Sequence, residues 1–367
     1  MTAIGVLFGG PSPEHDVSIL TGLQATRVLA QAGHTPVPVY WTKTGDFFAV
    51  DAGLEGPAFA QGVPPRSRPL TLSTAEAGFA EVKSMGRVKR LDAELFVVCC
   101  HGGAGEDGRL QGLLDLAGVT YTGPSAAGAA LGMDKLAFGG LVEAAGLPTL
   151  PRAALTAAGR TWSFDGPWIL KPRFGGSSIG IEVVQDVDTA LALLKTSPHL
   201  KSGAVVEPFR SGSYDVNVAV RRVGEPRLSA FERPARSGNA GTIYSYDQKY
   251  LGGQGMESAK RELPAALAPA LQQRLTETAL QVADLALVRG AARIDFLVEG
   301  DEFWVNEINT IPGSLGLYLW RAAGVSNADL ILGLVEEARR TPTYVPVTSG
   351  ADGRALASAG AIASKLG

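Results

Sequence analysis

The sequence has few cysteines, no cluster of basic residues and no long apolar run. Its 367 residues include two cysteines, the neighbours Cys99 and Cys100, and carry a formal net charge of −3. Because the pair closes the apolar run 95–98, it excludes a disulfide framework and indicates packed core residues in a reducing compartment, with thiol chemistry less favoured. The near-balanced charge favours neither nucleic acid nor an anionic membrane as a partner.

Membrane segments and secretion signals are also lacking. No apolar stretch approaches the roughly 20 residues that a helix needs to cross a bilayer. The chain enters a predicted strand at 4–8 without the basic segment of a secretory signal. We therefore expect a cytoplasmic protein. Apolar residues make up 46% of the chain and charged residues 19%, which together with its length predicts two or three globular domains.

The apolar pattern changes twice along the chain and so predicts three domains and a tail. In the first domain, strands alternate with a helix over 17–31, which predicts a parallel α/β sheet. The weaker pattern over 51–90 is interpreted as an irregular insertion. The predicted limits are 1–123, 124–205 and 206–345 for the domains and 346–367 for the loose tail.

The second and third domains are predicted to contain two strand hairpins. The second domain has a helix over 126–145, and then a glycine-rich turn at 175–180 between two apolar strands. The third is predicted to have a loop at 237–255. Its further elements are strands at 215–220, 228–233, 292–298 and 302–308 and helices at 265–288 and 327–340.

Three oxygen-bearing side chains fall on the last predicted hairpin. Glu307 and Asn309 alternate along one strand, so they share a face, and Asp295 lies on the other strand. Two carboxylates and an amide oxygen suit Mg²⁺ bound together with phosphate oxygens. The alternative interpretation is the polar, solvent-facing side of an edge hairpin.

The glycine-rich turn at 175–180 has the composition of a phosphate-covering loop. Its glycines free backbone N–H groups, and Ser177 and Ser178 add hydroxyls. Lys171 precedes the turn, and Lys135 lies on the preceding helix. Lysines beside such a loop suit a triphosphate. The competing interpretation is a mobile hairpin tip near two surface lysines.

Two further loops carry ionisable side chains at strand ends. The loop 9–15 contains Glu14, and the loop 101–108 begins with His101. Ligands of α/β sheets bind at the carboxyl ends of parallel strands. The two loops therefore predict one crevice, although glycine turns with incidental charges would look the same.

Read together, these segments closely resemble the D-alanine–D-alanine ligases of the ATP-grasp superfamily. The resemblance extends to about residue 345. The matching motifs are FGGPSPEHDVS (8–18), HGGAGEDGRLQG (101–112), MDK (133–135), KPRFGGSSIG (171–180), YSYDQKY (244–250), RID (293–295) and NEINTIPG (306–313).

The resemblance implies a fold and a reaction. The fold is a three-domain α/β ATP-grasp architecture, with a parallel-sheet N-terminal domain and two mixed α+β domains that clasp ATP. The reaction forms the D-Ala-D-Ala dipeptide of peptidoglycan through an acyl phosphate, which closing loops protect from water. The expected ligands and partners are ATP, D-alanine, two Mg²⁺ ions with Mn²⁺ as an alternative, K⁺ as a candidate activator, and a second copy in a homodimer.

The resemblance also assigns roles to individual residues. Glu14 binds the ammonium of the first D-alanine in a hydrogen-bonded set with Ser177 and Tyr250, and His101 borders its carboxylate. Arg293 and the backbone N–H of Gly313 stabilise the oxyanion. The ATP-binding residues are Lys135, Lys171, Gly176, Ser177, Ser178, Glu207, Arg210, Asp215 and Lys249. The metal ligands are Asp295, Glu307 and Asn309.

Two segments depart from the family pattern. After Gly313 the family has a longer segment with a serine that holds the carboxylate of the second D-alanine, whereas 314–320 here is shorter and apolar. Ser314 is the candidate in this run, and D-lactate, D-serine or another amino acid remains an alternative second substrate, as does an ATP-binding homologue without turnover. Asp215 stands where the family has a ribose-binding glutamate, so it replaces that contact or the contact is lost.

Overall fold

The computed structural model describes residues 3–83, 88–157, 162–222, 226–235, 261–341 and 347–359. Within these ranges the chain builds three larger sheets and a two-stranded ribbon. Each larger sheet has its own cluster of buried apolar side chains. No helix in the described ranges has both the length and the apolar character needed to span a membrane.

The first sheet has seven strands, in the order β6-β5-β4-β3-β2-β1-β7. Its strands are β1 Ala3–Gly9, β2 Thr35–Trp41, β3 Phe47–Ala49, β4 Arg68–Ser73, β5 Gly78–Val82, β6 Val88–Arg90 and β7 Phe96–Val98. Strand β1 pairs in parallel with β2 and β7, which confirms the predicted α/β arrangement.

The region 51–90 corrects the sequence-based interpretation of an irregular insertion. Strands β4 to β6 lie there and extend the sheet by antiparallel pairing, so the whole sheet is mixed. Each of these strands has three to six residues. Runs of that length hold too few apolar repeats for a period to be recognised, because pairing with neighbours rather than local pattern decides them.

Three helices cover the first sheet and carry the strand-end loops. They are α1 His15–Gln31, α2 Gly103–Glu106 and α3 Arg109–Leu116. Between β1 and α1 the backbone of Gly9 has φ of +92°, and a Cβ there would lie 2.2 Å from the Trp41 carbonyl oxygen. Glycine is therefore required for the turn that presents Glu14. Cys99 and Cys100 are fully buried, and burial raises the pKa of both thiols, which confirms that they are core residues.

The second sheet is antiparallel, in the order β10-β9-β11-β8. Its strands are β8 Ala153–Leu155, β9 Trp168–Pro172, β10 Glu182–Val184 and β11 Ala204–Pro208. The helices of this part are α4 Ala126–Met133, α5 Lys135–Ala144 and α6 Val187–Thr196. The hairpin of β9 and β10 confirms the prediction, whereas β11 crosses the predicted domain limit at 205/206.

The helix predicted over 126–145 is two helices that break at Asp134. The Asp134 side chain accepts hydrogen bonds from the backbone N–H groups of Leu136 and Ala137, and so caps the second helix. It also forms a paired contact with Arg173, at 2.6 Å between Nη2 and Oδ2. The break therefore anchors the glycine-rich turn beside Lys135, the first residue of α5.

The third sheet has the order β13-β12-β16-β17. Its strands are β12 Tyr214–Arg221, β13 Arg227–Leu228, β16 Ala291–Glu299 and β17 Glu302–Asn309, beside the ribbon of β14 Arg233–Pro234 and β15 Arg261–Glu262. The predicted strand 228–233 is therefore split between β13 and β14. Helix α7, Pro269–Leu285, starts later than predicted, at a proline that suits a first helical turn.

The next two helices pack partly against the first sheet. They are α8 Leu317–Ala322 and α9 Asn327–Arg340, whereas the short helix α10 Arg354–Ala357 has no buried residue. Trp320, Leu330 and Ile331 belong to the same buried cluster as the apolar residues of β1. Helix α9 is capped by Ser326, whose side chain accepts a hydrogen bond from the Asp329 N–H. The described tail over 347–358 is exposed.

Candidate active site

One cleft is lined by residues of the second and third sheets and by residues that follow strands of the first sheet, and most predicted site residues meet in it. The predicted residues that line it are Glu14, His101, Lys135, Lys171, Gly176, Ser177, Ser178, Glu207, Arg210, Asp215, Arg293, Asp295, Glu307, Asn309 and Gly313. Ser314 does not line it. Lys249 and Tyr250, with the predicted loop 237–255, lie outside the described residues.

The hairpin of β16 and β17 presents the three predicted metal ligands. Asp295 is the cross-strand partner of Glu307, and Arg293 is that of Asn309. The register shifts between Asp295 and Phe296, which leaves Asn306 as an extra residue in β17. This bulge turns Asn306 towards Lys171, with 2.8 Å between Oδ1 and Nζ.

The oxygens of this hairpin are held by cations. Arg293 donates two hydrogen bonds to the Asp295 carboxylate, of 2.6 and 2.7 Å. Lys135 Nζ lies 3.0 Å from Glu307 Oε2. In the described ranges no three His, Cys, Asp or Glu side chains are grouped to hold a metal. Two carboxylates and the Asn309 amide nonetheless fit a divalent ion that takes its remaining oxygens from phosphates and water.

The two predicted phosphate lysines are buried beside the hairpin. Lys171 lies 2.7 Å from Glu207, and Lys135 donates a 2.6 Å hydrogen bond to the Gly175 carbonyl. Burial acts to raise the pKa of Glu207, but Lys171 and Arg152 outweigh it and hold this pKa below its usual value. Glu207 therefore stays ionised near pH 7 beside Lys171 and Arg152.

The glycine-rich turn closes over Glu14. Ser177 donates a hydrogen bond to Glu14 Oε1. Ser177 and Ser178 have φ of +53° and +58°, so the turn places two non-glycine residues in the left-handed region. A Cβ on Gly102 would lie 2.3 Å from Glu14 Oε2. The first and second parts of the chain thus meet at this carboxylate.

His101 connects helix α1 to the segment after β17. Its Nδ1 lies 2.8 Å from the Ile311 carbonyl, and its Nε2 lies 2.8 Å from Thr21 Oγ1. Burial lowers the pKa of His101 to about 4, so the ring is neutral near pH 7. The Ser314 N–H donates to Thr21 Oγ1 at 3.1 Å. This contact joins Ser314 to α1.

Glu106 belongs to a sequence motif but received no predicted role. Its Oε2 accepts a 2.9 Å hydrogen bond from the Gly102 N–H, and its Oε1 accepts one of 2.8 Å from the Ile311 N–H. Burial, followed by the charge of Glu14, raises the pKa of Glu106 to about 7. The carboxyl group therefore holds the His101 loop and the segment before Gly313 together.

The raised pKa predicts that Glu106 contributes less stability as the pH rises. In the unfolded chain it ionises near 4.5, whereas in the fold it keeps its proton up to about 7. Between these values the folded state binds more protons, so the free energy of unfolding falls by roughly 3 kcal/mol in all. Urea unfolding of wild type and Glu106→Gln across this interval checks it. The free energy of unfolding of wild type should fall with rising pH relative to that of the variant. A constant difference between the two would contradict the raised pKa.

Several residues of the site received no predicted role. The polar ones that line the cleft are Glu106, Ser213, Asn217, Glu232, Arg261, Asn306 and Tyr318, of which Glu106 and Asn306 lie in quoted motifs. Glu232 accepts hydrogen bonds from Tyr318 and pairs with Arg261, at 2.9 Å each. The apolar wall is formed by Leu150, Ile169, Ile181, Phe209 and Leu297. An apolar wall of this kind suits a planar base. In a sequence, single apolar residues within strands cannot be told from core residues, so the wall was not predicted.

This arrangement combines a charged side, with two buried lysines beside the oxygens of Asp295 and Glu307, and a small polar side with Glu14, Arg293 and Gly313. A cleft that places a nucleoside triphosphate next to a small carboxylate is built for phosphoryl transfer to that carboxylate. Fold and site define the class: an ATP-dependent carboxylate–amine ligase of ATP-grasp architecture.

The comparisons identify the family. Two family models match the chain, described as the D-ala D-ala ligase N-terminus over residues 3–124 and the D-ala D-ala ligase C-terminus over residues 141–336. The chain belongs to the D-alanine–D-alanine ligase family.

Individual relatives agree with this. The chain is 32% identical to D-alanine–D-alanine ligase B of Bradyrhizobium diazoefficiens, over 91% of this chain and 92% of the relative. It is also 32% identical to the D-alanine–D-alanine ligase of Prochlorococcus marinus strain MIT 9313, over 92% and 98%. The crystal structure of the Helicobacter pylori D-alanine–D-alanine ligase has a TM-score of 0.74 at 25% identity, over 94% of this chain and 100% of that chain.

Proposed function

We propose that the protein joins two D-alanine molecules into D-Ala-D-Ala for peptidoglycan, using ATP to activate the first one. The observation that carries the proposal is the meeting of three groups in one cleft: the Glu14–Ser177 contact, the buried Lys135 and Lys171, and the hairpin that bears Asp295 and Glu307.

The first D-alanine is proposed to bind through its ammonium group to Glu14. Ser177 holds that carboxylate in place, and the predicted partner Tyr250 would complete the set. His101 is neutral, so it lies beside the reacting carboxylate without adding charge. A carboxylate is a poor electrophile, and its conversion to an acyl phosphate supplies a good leaving group.

The phosphate side is proposed to bind ATP through Lys135, Lys171 and, from the predicted loop, Lys249. Gly176 and Ser178 cover the phosphates with backbone N–H and hydroxyl groups. Asp295, Glu307 and Asn309 would hold two Mg²⁺ ions, or Mn²⁺, which neutralise charge on the transferring group. Glu207 and Arg210 border the base, and Asp215, on the cleft wall, takes the ribose contact.

The attack of the second amine is proposed to be helped by Arg293 and the Gly313 N–H. Both line the cleft. They would stabilise the oxyanion of the tetrahedral intermediate as negative charge develops. No predicted residue is assigned to the incoming amine's proton.

The segment after Gly313 leaves an alternative identity for the second substrate. The Ser314 N–H is bonded to Thr21, and Leu315 is buried. A serine contact to the second carboxylate therefore requires movement of Ser314 towards the cleft. Because D-alanine, D-serine and D-lactate share this carboxylate, the contact does not distinguish them, and D-serine, D-lactate or another amino acid stays the alternative second substrate.

Product identification tests the proposal. Incubation with ATP, Mg²⁺ and D-alanine should release phosphate and yield a D-Ala-D-Ala mass, whereas omission of D-alanine should leave ATP intact. Parallel reactions with D-serine or D-lactate beside D-alanine decide the second substrate by product mass. ATP binding without ADP formation at saturating D-alanine would overturn the proposal in favour of a homologue without turnover.

The three-domain division, a homodimer and activation by K⁺ are proposed on the family resemblance. Gel filtration with light scattering tests the dimer, and replacement of K⁺ by Na⁺ in the assay tests the activation. The three buried clusters support a division into three units but not its predicted limits, because apolar residues of 311–335 belong to the first cluster and Phe138 and Val142 to that of the third sheet.

A further inference from the structure

Arg152 is a buried cation behind the phosphate side of the cleft. Its side chain is 4% exposed, and it precedes β8 outside every motif noted in the sequence. It does not line the cleft. A buried guanidinium is stable only when its charge is paired and its donors are satisfied.

The donors of Arg152 reach three elements. Its Nε lies 3.0 Å from Glu207 Oε1 as an ion pair on β11. Its Nη1 donates a 2.8 Å hydrogen bond to the Lys135 carbonyl at the start of α5. Its Nη2 donates to the Asn306 carbonyl in the bulge of β17. The planar guanidinium of Arg152 therefore connects parts of the second and third sheets.

Each residue that Arg152 contacts either belongs to the proposed phosphate site or contacts a residue of that site. Glu207 contacts Lys171 through its other oxygen, at 2.7 Å. The Asn306 Oδ1 accepts a 2.8 Å hydrogen bond from the Nζ of the same lysine, and Glu307 is the residue after Asn306. The Lys135 side chain contacts Glu307 and the Gly175 carbonyl. Arg152 thus contacts the supports of both lysines.

Helix α5 leaves room for this guanidinium. A Cβ on Gly139 would lie 2.4 Å from Arg152 Cδ and 2.7 Å from Nη1, whereas one on the neighbouring Gly140 would meet nothing within 4 Å. Glycine within a helix is unfavourable relative to alanine. Its presence at 139, facing Arg152, therefore has a packing reason that Gly140 lacks.

We propose that Arg152 is a positioning residue that sets Lys135 and Lys171 for nucleotide phosphates, so that its loss weakens nucleotide binding more than amino acid binding. This inference rests on the proposed function because it takes these lysines to be the phosphate ligands. Removal of Arg152 leaves Glu207 with one cation instead of two and frees the start of α5.

The positioning role of Arg152 is tested by calorimetric titration of the Arg152→Met and Arg152→Lys variants with ADP and Mg²⁺. Arg152→Met should raise the Kd for ADP and the KM for ATP by about 10- to 100-fold, the range for outer-shell partners. The KM for D-alanine should stay within about twofold of wild type, and a merely structural role would not produce that split. Arg152→Lys should recover part of the affinity, since it keeps the charge but cannot reach three acceptors.

Gly139→Ala and Gly140→Ala form a matched pair that is independent of charge. Gly139→Ala should push Arg152 aside and raise the Kd for ADP several-fold, whereas Gly140→Ala should bind ADP like wild type. If Arg152→Met does not fold, this pair decides the inference alone. Wild-type ADP affinity in Arg152→Met, or in Gly139→Ala where Arg152→Met is unfolded, overturns it. A wild type that binds ADP but forms no dipeptide would refute the proposed function and leave the binding test valid.

Discussion

Arg293→Met should lower kcat by about 10²- to 10³-fold, because it removes a charged donor aimed at the developing oxyanion. The side chain lines the cleft, as Gly313 does, and is held by two hydrogen bonds to Asp295. The rate of phosphate release at saturating ATP and D-alanine measures the effect. Arg340→Met, at a 71% exposed side chain that does not line the cleft, is the matched control and should keep the wild-type rate.

Mg²⁺ dependence separates two explanations of such a loss. Arg293 also orients Asp295, a proposed metal ligand, so the variant could fail through weaker metal binding. If orientation were its whole role, a high Mg²⁺ concentration would restore kcat. We expect the rate to stay low at saturating Mg²⁺, and recovery to the wild-type rate would contradict the oxyanion role.

Trp320→Ala should lower the free energy of unfolding by about 3–5 kcal/mol, the range for loss of a large buried aromatic side chain. Trp320 is 2% exposed and packs in the core of the first sheet, although it lies on α8. Urea unfolding gives the change, and hydrogen exchange of the β1 amides shows whether the first core is the part that weakens.

Leu116→Ala is the control for this experiment, since that side chain is 79% exposed. Its effect should lie within about 0.5 kcal/mol, as for ordinary surface positions. Slower or unchanged exchange of the β1 amides in Trp320→Ala would contradict the assignment of α8 to the first core.

The hairpin of β16 and β17 shows what could be predicted from the sequence. Its apolar alternation and short turn are local, so both strands were predicted to within a residue at most ends. The shared face of Glu307 and Asn309 followed from the period of two in a strand. The bulge at Asn306 had no local signal, because it arises from pairing with β16.

Other elements depended on partners distant in the chain. The helix break at Asp134 is stabilised by Arg173, and β4 to β6 exist by pairing along one edge of the first sheet. Arg152 had no motif, since its neighbours in the sequence give no sign of the three acceptors it reaches. The role of an isolated polar residue of this kind can be recognised only once its burial and its contacts are known.

The amino-acid sequence by itself determined the chemical groups and the strands, turns and helices that carry them, because these depend on residues within one or two turns of each other. Only the tertiary structure decided that Arg152 meets Asn306, that Glu106 holds Ile311 and that Trp320 joins the first core. These contacts join residues 154, 205 or more than 200 positions apart. Their formation requires the packing of whole sheets against one another, since only burial of apolar surface offsets the entropy of closing such long loops.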